Sequence, residues 1–240
     1  MAIKKAVEMC SRYSSPDIGE IDKTYPITGP APKRIWDIYI TPLANGPYIK
    51  AGGVLEVGQW GMIPESSAGR RPLRADGSPM TTENACRETL EIDAIFGPAW
   101  HAGKRCLIPV NSWIESYSGL SRRSISWLFR RADGKPAMLA GLYSEWSDPQ
   151  TDEMVPNYTM ITQVTDAHPV LSLMHRPGRE KRGVVMLEPG DWDAWLHGSA
   201  AQADSLIKLP PPGALRSGAE NPAEEALLPV EQLRALKAGG

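Results

Sequence analysis

The sequence has too few cysteines, too widely spaced, to build a disulfide framework. Cys10, Cys86 and Cys106 form an odd set of three, which suits a reducing compartment and offers no paired C-x-x-C for zinc. No apolar run approaches the roughly 20 residues that span a bilayer. Residues 1–8, MAIKKAVE, lack the apolar core and small-residue cleavage site of a secretory signal, so a cytoplasmic protein without membrane contact is expected. An excess of either charge is missing too. The 26 Lys and Arg against 28 Asp and Glu leave a formal net charge of −2, and no global basic field advertises nucleic-acid binding; any such site must be local. Also absent are the P-loop, G-x-G-x-x-G, G-x-S-x-G and H-E-x-x-H motifs, which leaves no cofactor and no metal to expect.

What the chain has in quantity is punctuation. Its 22 glycines and 22 prolines cut 240 residues into short runs bounded by turn signals. Runs rich in β-branched and aromatic residues fall at 36–40, 52–63, 105–110, 124–129, 137–143, 157–165 and 183–187 and read as strands. They follow no fixed period, so a repeat architecture is excluded. Two stretches read as helix. TENACRETLEIDAIF carries Leu90, Ala94 and Ile95 at helical spacing; GDWDAWLHG has Asp191 placed to cap, Trp192, Trp195 and Leu196 on one face, and Gly198 after the end. From 209 to 240 the chain turns proline-rich, then alanine- and glutamate-rich, which suggests a surface strap and a short helical tail. With 42% hydrophobic content the chain can bury a full core. The expected class is α+β, strand-dominated, in a single compact domain.

Four features stand apart from a plain β-rich core. Cys10 sits directly behind Met9. Asn84 precedes the first helical stretch and either caps it or serves a site. Glu115 follows Trp113 and Ile114 on the return from a turn at Asn111 and Ser112. If buried, its carboxyl would titrate nearer neutrality and move protons usefully; on the outer face of a strand it would simply be solvated. His175 follows an apolar stretch and opens a loop holding Arg176, Arg179, Lys181 and Arg182, so an imidazole stands beside groups suited to phosphate. Further arginines cluster at Arg70, Arg71 and Arg74 and at Arg122 and Arg123, a pattern that solvated loops also show. His101, His168 and His197 have no comparable setting.

Taken in order, MCSRY, WGMIP, NACRET, RCLIPVNSWIESY, AGLYSEW, YTMITQVT and MHRPG…GVVML resemble the SOS response-associated peptidase (SRAP) family of abasic-site processing proteins, over roughly residues 9–200. The resemblance implies a twisted β-barrel-like core with a few short helices, a monomer, and single-stranded DNA containing abasic sites as the partner. It carries the family's nucleophilic cysteine onto Cys10, its site asparagine onto Asn84, its catalytic glutamate onto Glu115 and its catalytic histidine onto His175. It implies a cysteine autopeptidase, or initiator-methionine removal, that exposes the cysteine, followed by cross-linking and lyase-like activity at abasic sites. Arg12, Arg70, Arg71, Arg74, Arg87, Arg176 and Arg179 would grip phosphates, and an aromatic surface near Trp60 would stack on a base. The sequence departs from the family pattern at Ser11, where the family has Gly, at Cys86, where it has Arg, and in the extended loop after His175. Residues 1–8 read as a leader or a mis-assigned start, with the domain over 9–208. The alternative is a degenerate member that binds single-stranded DNA without cross-linking.

The implied chemistry depends on Cys10 being a first residue. An abasic deoxyribose equilibrates with an open-chain aldehyde; a free α-amine condenses with it to an imine, and the neighbouring thiol closes a five-membered thiazolidine. An internal cysteine would stop at a reversible hemithioacetal. Reference pKa values of about 7.7–8.0 for the amine and about 8.5 for the thiol keep a useful fraction of each nucleophile available near neutrality. In this scheme His175 protonates the opening sugar oxygen, Glu115 shuttles protons at the amine and during methionine removal, and Asn84 holds the cysteine or the sugar.

Overall fold

Short apolar runs between turns leave room for strands and little helix. The computed structural model describes residues 10–118, 124–211 and 213–237; the expected leader, Arg122 and Arg123 lie outside them. In chain order the elements are β1 (Arg12–Ser14), α1 (Ile18–Thr24), β2 (Tyr39–Ile40), β3 (Asn45–Lys50), β4 (Val54–Trp60), β5 (Asn84–Cys86), α2 (Gly97–His101), β6 (Arg105–Val110), β7 (Ser112–Tyr117), β8 (Ile125–Arg131), β9 (Ala137–Ser147), β10 (Met154–Val164), β11 (Arg182–Val184), β12 (Met186–Leu187), α3 (Trp192–His197), α4 (Ala200–Ser205), β13 (Leu215–Ala219), α5 (Pro222–Glu225) and α6 (Val230–Lys237). The strand-dominated α+β class is therefore the observed one.

Five strands close on themselves in the order β10-β4-β3-β6-β9, with β9 returning to β10. Closure leaves this barrel no free edge. Its wall is tight at two glycines: a Cβ at Gly46 would collide with the hydroxyls of Tyr13 and Tyr158, and one at Gly141 would stand 2.8 Å from the Thr159 carbonyl oxygen. Neighbouring residues of β6 and β9 alternate between two apolar clusters. Ile108 and Leu139 join one, with Tyr13, Trp60, Trp113, Trp127 and Tyr158; Leu107, Met138 and Ala140 join the other, with Trp100 and Trp195. Both faces of these strands are buried, which is why they read as unbroken apolar runs.

A second, five-stranded sheet has the order β13-β8-β7-β1-β2. It packs on the barrel through an aromatic face, where Tyr13 meets Trp60 edge-on at 5.2 Å and Trp113 stacks on Phe129 at 5.8 Å. Period-2 alternation along β7 places Trp113, Glu115 and Tyr117 on that same face.

Several local expectations give way to tertiary pairing. No α-helix forms over 82–96: Asn84–Cys86 is β5, a 3-10 turn follows at Arg87–Thr89, and helix begins only at Gly97. The cause is that β10 outruns β4. Asn157 and Tyr158 pair in parallel with Gln59 and Trp60, and from Met160 onward Asn84, Ala85 and Cys86 take over as the parallel neighbours. Pairing to a buried strand outweighs a weak helical spacing. The helix at the tryptophan pair does form as α3, but the Asp191 side chain caps nothing. The strand at 36–40 shrinks to Tyr39–Ile40, while Asn45–Lys50, broken by Gly46 and Pro47 in sequence, is a barrel strand. Of the C-terminal stretch, Leu215–Ala219 is not a loose strap but pairs with β8 as the sheet edge. Among the described residues no helix is long and apolar enough to cross a membrane.

Candidate active site

The takeover of β4 by β5 sets Asn84 just beyond the buried end of β4, facing the start of β1. Its Nδ2 donates to the Cys10 carbonyl at 3.0 Å, so the asparagine holds the cysteine backbone rather than capping a helix. β1 runs antiparallel to β7, with Arg12 opposite Ile114 and Tyr13 opposite Trp113, which brings Cys10 to the part of β7 that carries Glu115. The Cys10 thiol donates to the Arg12 carbonyl at 3.6 Å. His175 docks on the same strand: its main-chain N–H donates to the Ser116 carbonyl at 2.5 Å, and its Nε2 stands 3.5 Å from Glu115 Oε2. Cys10, Asn84, Glu115 and His175, which lie far apart in sequence, thus meet in one buried place, each 4% exposed or less.

Burial decides the electrostatics of this cluster. It pushes the Glu115 carboxyl well above the usual carboxylate range and favours the neutral acid. It does the same to the Cys10 thiol, with the nearby Glu115 charge adding to the rise. Both Glu115 oxygens and Asn84 Oδ1 have no hydrogen-bond partner among the described residues. Such atoms are rare in protein cores and cost about 1–3 kcal/mol each. A side chain placed for stability would avoid that cost, so the cluster reads as one placed for chemistry. Of the two alternatives open for Glu115, the desolvated one holds.

His175 adopts φ 61°, a left-handed conformation uncommon outside glycine. Lys181 secures it: Nζ donates to the carbonyls of Met174 at 2.6 Å, His175 at 3.0 Å and Arg176 at 3.0 Å. The Arg182 carbonyl lies 2.8 Å from His175 Nε2. A carbonyl can only accept, so Nε2 carries the proton. The Arg182 guanidinium is buried and bonded to Glu88, Glu180 and Thr162. The extended loop therefore uses Lys181 and Arg182 as supports of the histidine, not as phosphate ligands. The sequence set both beside the histidine as groups suited to phosphate; the structure turns them inward instead. A cleft of about 290 Å³ opens against His175, between Tyr117, Leu173, Pro177 and Gln232. His168, by contrast, accepts the N–H groups of Val170 and Leu171 and is part of a turn.

The remaining expected ligands are scattered. Trp60 is fully buried, with its indole N–H donated to the Glu83 carbonyl at 2.8 Å; it presents no ring face to a base, and the expectation of stacking there is corrected. Arg12 pairs with Glu220 and lies over the Tyr39 ring. Arg87 is held by both oxygens of Asp204 at 2.9 Å. Arg70 pairs with Glu153 at 2.8 Å, and Arg74 bonds the Pro79 carbonyl of its own loop. Arg71 and Arg176 are exposed and Arg179 is half-buried. Ser11 does not take a left-handed conformation, so the family's glycine is not required there.

A family model described as "SOS response associated peptidase (SRAP)" matches residues 9–218. The chain belongs to the SRAP family. Among solved structures, a Bordetella bronchiseptica protein is 28% identical, with a TM-score of 0.79 over 88% of this chain and 100% of that one. A Bacteroides thetaiotaomicron protein, 19% identical, reaches a TM-score of 0.72 over 95% and 99% of the two chains. A phage-related protein from Bordetella bronchiseptica, 18% identical, reaches 0.60 over 88% and 93%. The last two share the SRAP fold alone. No curated protein matches the chain. The SRAP match runs into β13, so the edge strand of the second sheet falls within the family region.

Proposed function

We propose that this SRAP protein binds single-stranded DNA and cross-links covalently to abasic sites through Cys10. The observation that carries the reading is the buried contact of Asn84 with the Cys10 backbone beside a Glu115–His175 pair at 3.5 Å. Once the Met9–Cys10 peptide bond is cleaved, the Cys10 amine attacks the aldehyde of the open sugar and water leaves to give the imine. The thiol then adds across the C=N bond, its proton passing to nitrogen, and the thiazolidine closes with no further group lost. Burial raises the Glu115 carboxyl and favours its neutral acid form, which suits it to supply protons to the departing oxygen. His175, its ring fixed by the Arg182 carbonyl, assists opening of the sugar. Autopeptidase and lyase-like steps would draw on the same acid and base.

The test compares a protein starting at Met9 with one in which Met1–Met9 is retained. Intact mass reports whether Cys10 is first, and denaturing electrophoresis with abasic single-stranded DNA reports the adduct. The short form should begin at Cys10 and cross-link, and the retained form should not. An efficient thiazolidine on a chain whose mass still includes the leader would overturn the mechanism. A native-gel shift with no adduct from either form would support the binding-only alternative.

A further inference from the structure

On the outer face of the second sheet, Arg130 of β8 and Arg216 of β13 are direct register partners. Residues so placed carry their side chains on one face with Cβ atoms about 5 Å apart, and like charges there repel. Both side chains are exposed. Neither has an ion pair among the described residues, whereas the adjacent Arg131 is held by Asp133 at 3.1 Å and Glu188 at 3.2 Å. The pair lines a shallow groove of about 260 Å³ whose lining also includes Leu128, Gly218 and Glu220; on this face Leu128 is the register partner of Gly218, while Ala219, opposite buried Trp127, turns its methyl to the core. Glu220 is the partner of Arg12. The neighbouring carboxylate, Glu225, is already occupied: it accepts the Ala219 N–H at 3.0 Å and pairs with Lys237 at 2.6 Å. The groove therefore offers two uncompensated guanidiniums at one end and an arginine covered by a displaceable surface carboxylate at the other. Counted across two strand spacings and four residues, the arginine pair lies roughly 17 Å from Cys10, a span that a few nucleotides bridge.

We infer that this groove carries the sugar-phosphate backbone of the single strand whose abasic site lies at Cys10, with phosphates seated between Arg130 and Arg216 and a further phosphate replacing Glu220 on Arg12. The inference rests on the DNA-binding part of the proposed function and adds to it the strand's path. Gly218, facing Leu128 on the floor, leaves room for phosphates and sugars, and neither residue reads a base. Two arginines spaced as register partners also suit successive or shared phosphate oxygens better than a single carboxylate would.

The test is fluorescence anisotropy with labelled single-stranded oligothymidine lacking abasic sites, titrated over salt, for wild type, Arg130→Gln, Arg216→Gln, the double variant and Glu220→Gln. Each single arginine variant should weaken binding several-fold and flatten the slope of log K against log salt by about 0.7. The double variant should flatten it by about 1.4. Glu220→Gln should bind several-fold more tightly. Unchanged slopes and affinities in the double variant, with circular dichroism showing it folded, would overturn the inference. A parallel denaturing gel with abasic DNA separates this from the covalent reading. Adduct formation by a wild type whose double variant binds equally well removes the groove and keeps the chemistry; slopes that fall in a protein forming no adduct keep the groove and remove the chemistry.

Discussion

Arg105 and Asn157 of the barrel and Glu115 of the second sheet are all buried polar residues, yet their hydrogen bonds are closed to different degrees. In the barrel, Arg105 on β6 is buried and donates to the Trp195 carbonyl at 2.6 Å and to the Gly198 carbonyl, closing off the end of α3. Asn157 on β10 is equally satisfied, accepting from the Ile63 N–H at 3.2 Å and donating to the Val155 carbonyl at 3.0 Å. In the sheet, Glu115 is buried too and has neither oxygen bonded among the described residues, while Arg130 and Arg216 are register partners with no ion pair among the described residues. A polar group whose bonds close within the fold specifies the fold. One whose bonds stay open costs stability and is available to something else. Substitutions in the two regions should therefore separate stability from chemistry.

The largest effect belongs to Cys10→Ala: the adduct should vanish on a denaturing gel while affinity for undamaged single-stranded DNA stays within a few-fold, because phosphate contacts supply most of it. Adduct persisting in Cys10→Ala would sink the assignment. Next, Glu115→Gln and His175→Ala should slow single-turnover cross-linking by about 10²–10⁴-fold, with melting temperatures no lower than wild type for Glu115→Gln; an unchanged rate would return Glu115 to a structural role. Arg105→Met in the barrel should do the converse. It strands the carbonyls of Trp195 and Gly198, and urea denaturation should show a loss of about 2–3 kcal/mol, while the cross-linking rate of the folded fraction holds. A rate loss matching the stability loss would erase the contrast between the regions.

The smallest effect is on pH dependence. The folded-state pKa of Glu115 is raised, so on raising pH the unfolded chain gives up its proton first, near about 4.3. The stability associated with the neutral buried acid is complete below that value and drains away as pH climbs towards the raised folded one. Glu115→Gln is neutral throughout and should remove this part of the slope in urea melts between pH 4 and 7. Parallel slopes for the two proteins would show that Glu115 titrates normally.

Much of the site was legible because its residues interrupt local patterns. Glu115 stands behind two bulky apolar residues, and His175 ends an apolar run. Their meeting was not legible, because it depends on β1 lying beside β7 and on β5 succeeding β4, pairings between segments far apart in the chain. Asn84 shows the difference: its neighbourhood reads as a helix start, and only the length of β10 makes it a strand. Trp60 shows the opposite error. The family resemblance implied an aromatic surface near Trp60, yet the barrel needs its volume between Tyr13 and the Glu83 carbonyl. The strands of the barrel were legible where both faces are buried, as in β6, and missed where a Gly-Pro pair masks the pattern, as in β3.

The succession of β4 by β5 along β10 also separates two design problems. The chain leaves the sheet at Trp60 and re-enters it at Asn84 on the same side of the same strand, so the excursion between them begins and ends at fixed points. Its ends are tied into the fold by buried Met62, Ile63 and Thr82 and by the bond from the Met62 N–H to the Thr82 carbonyl, so its length can change only at exposed points such as the turn from Arg74 to Gly77 without moving the asparagine that holds Cys10. Insertions at that turn should leave the asparagine where it is and alter only the surface the turn presents, because two anchored ends, and not the length between them, set the position of Asn84.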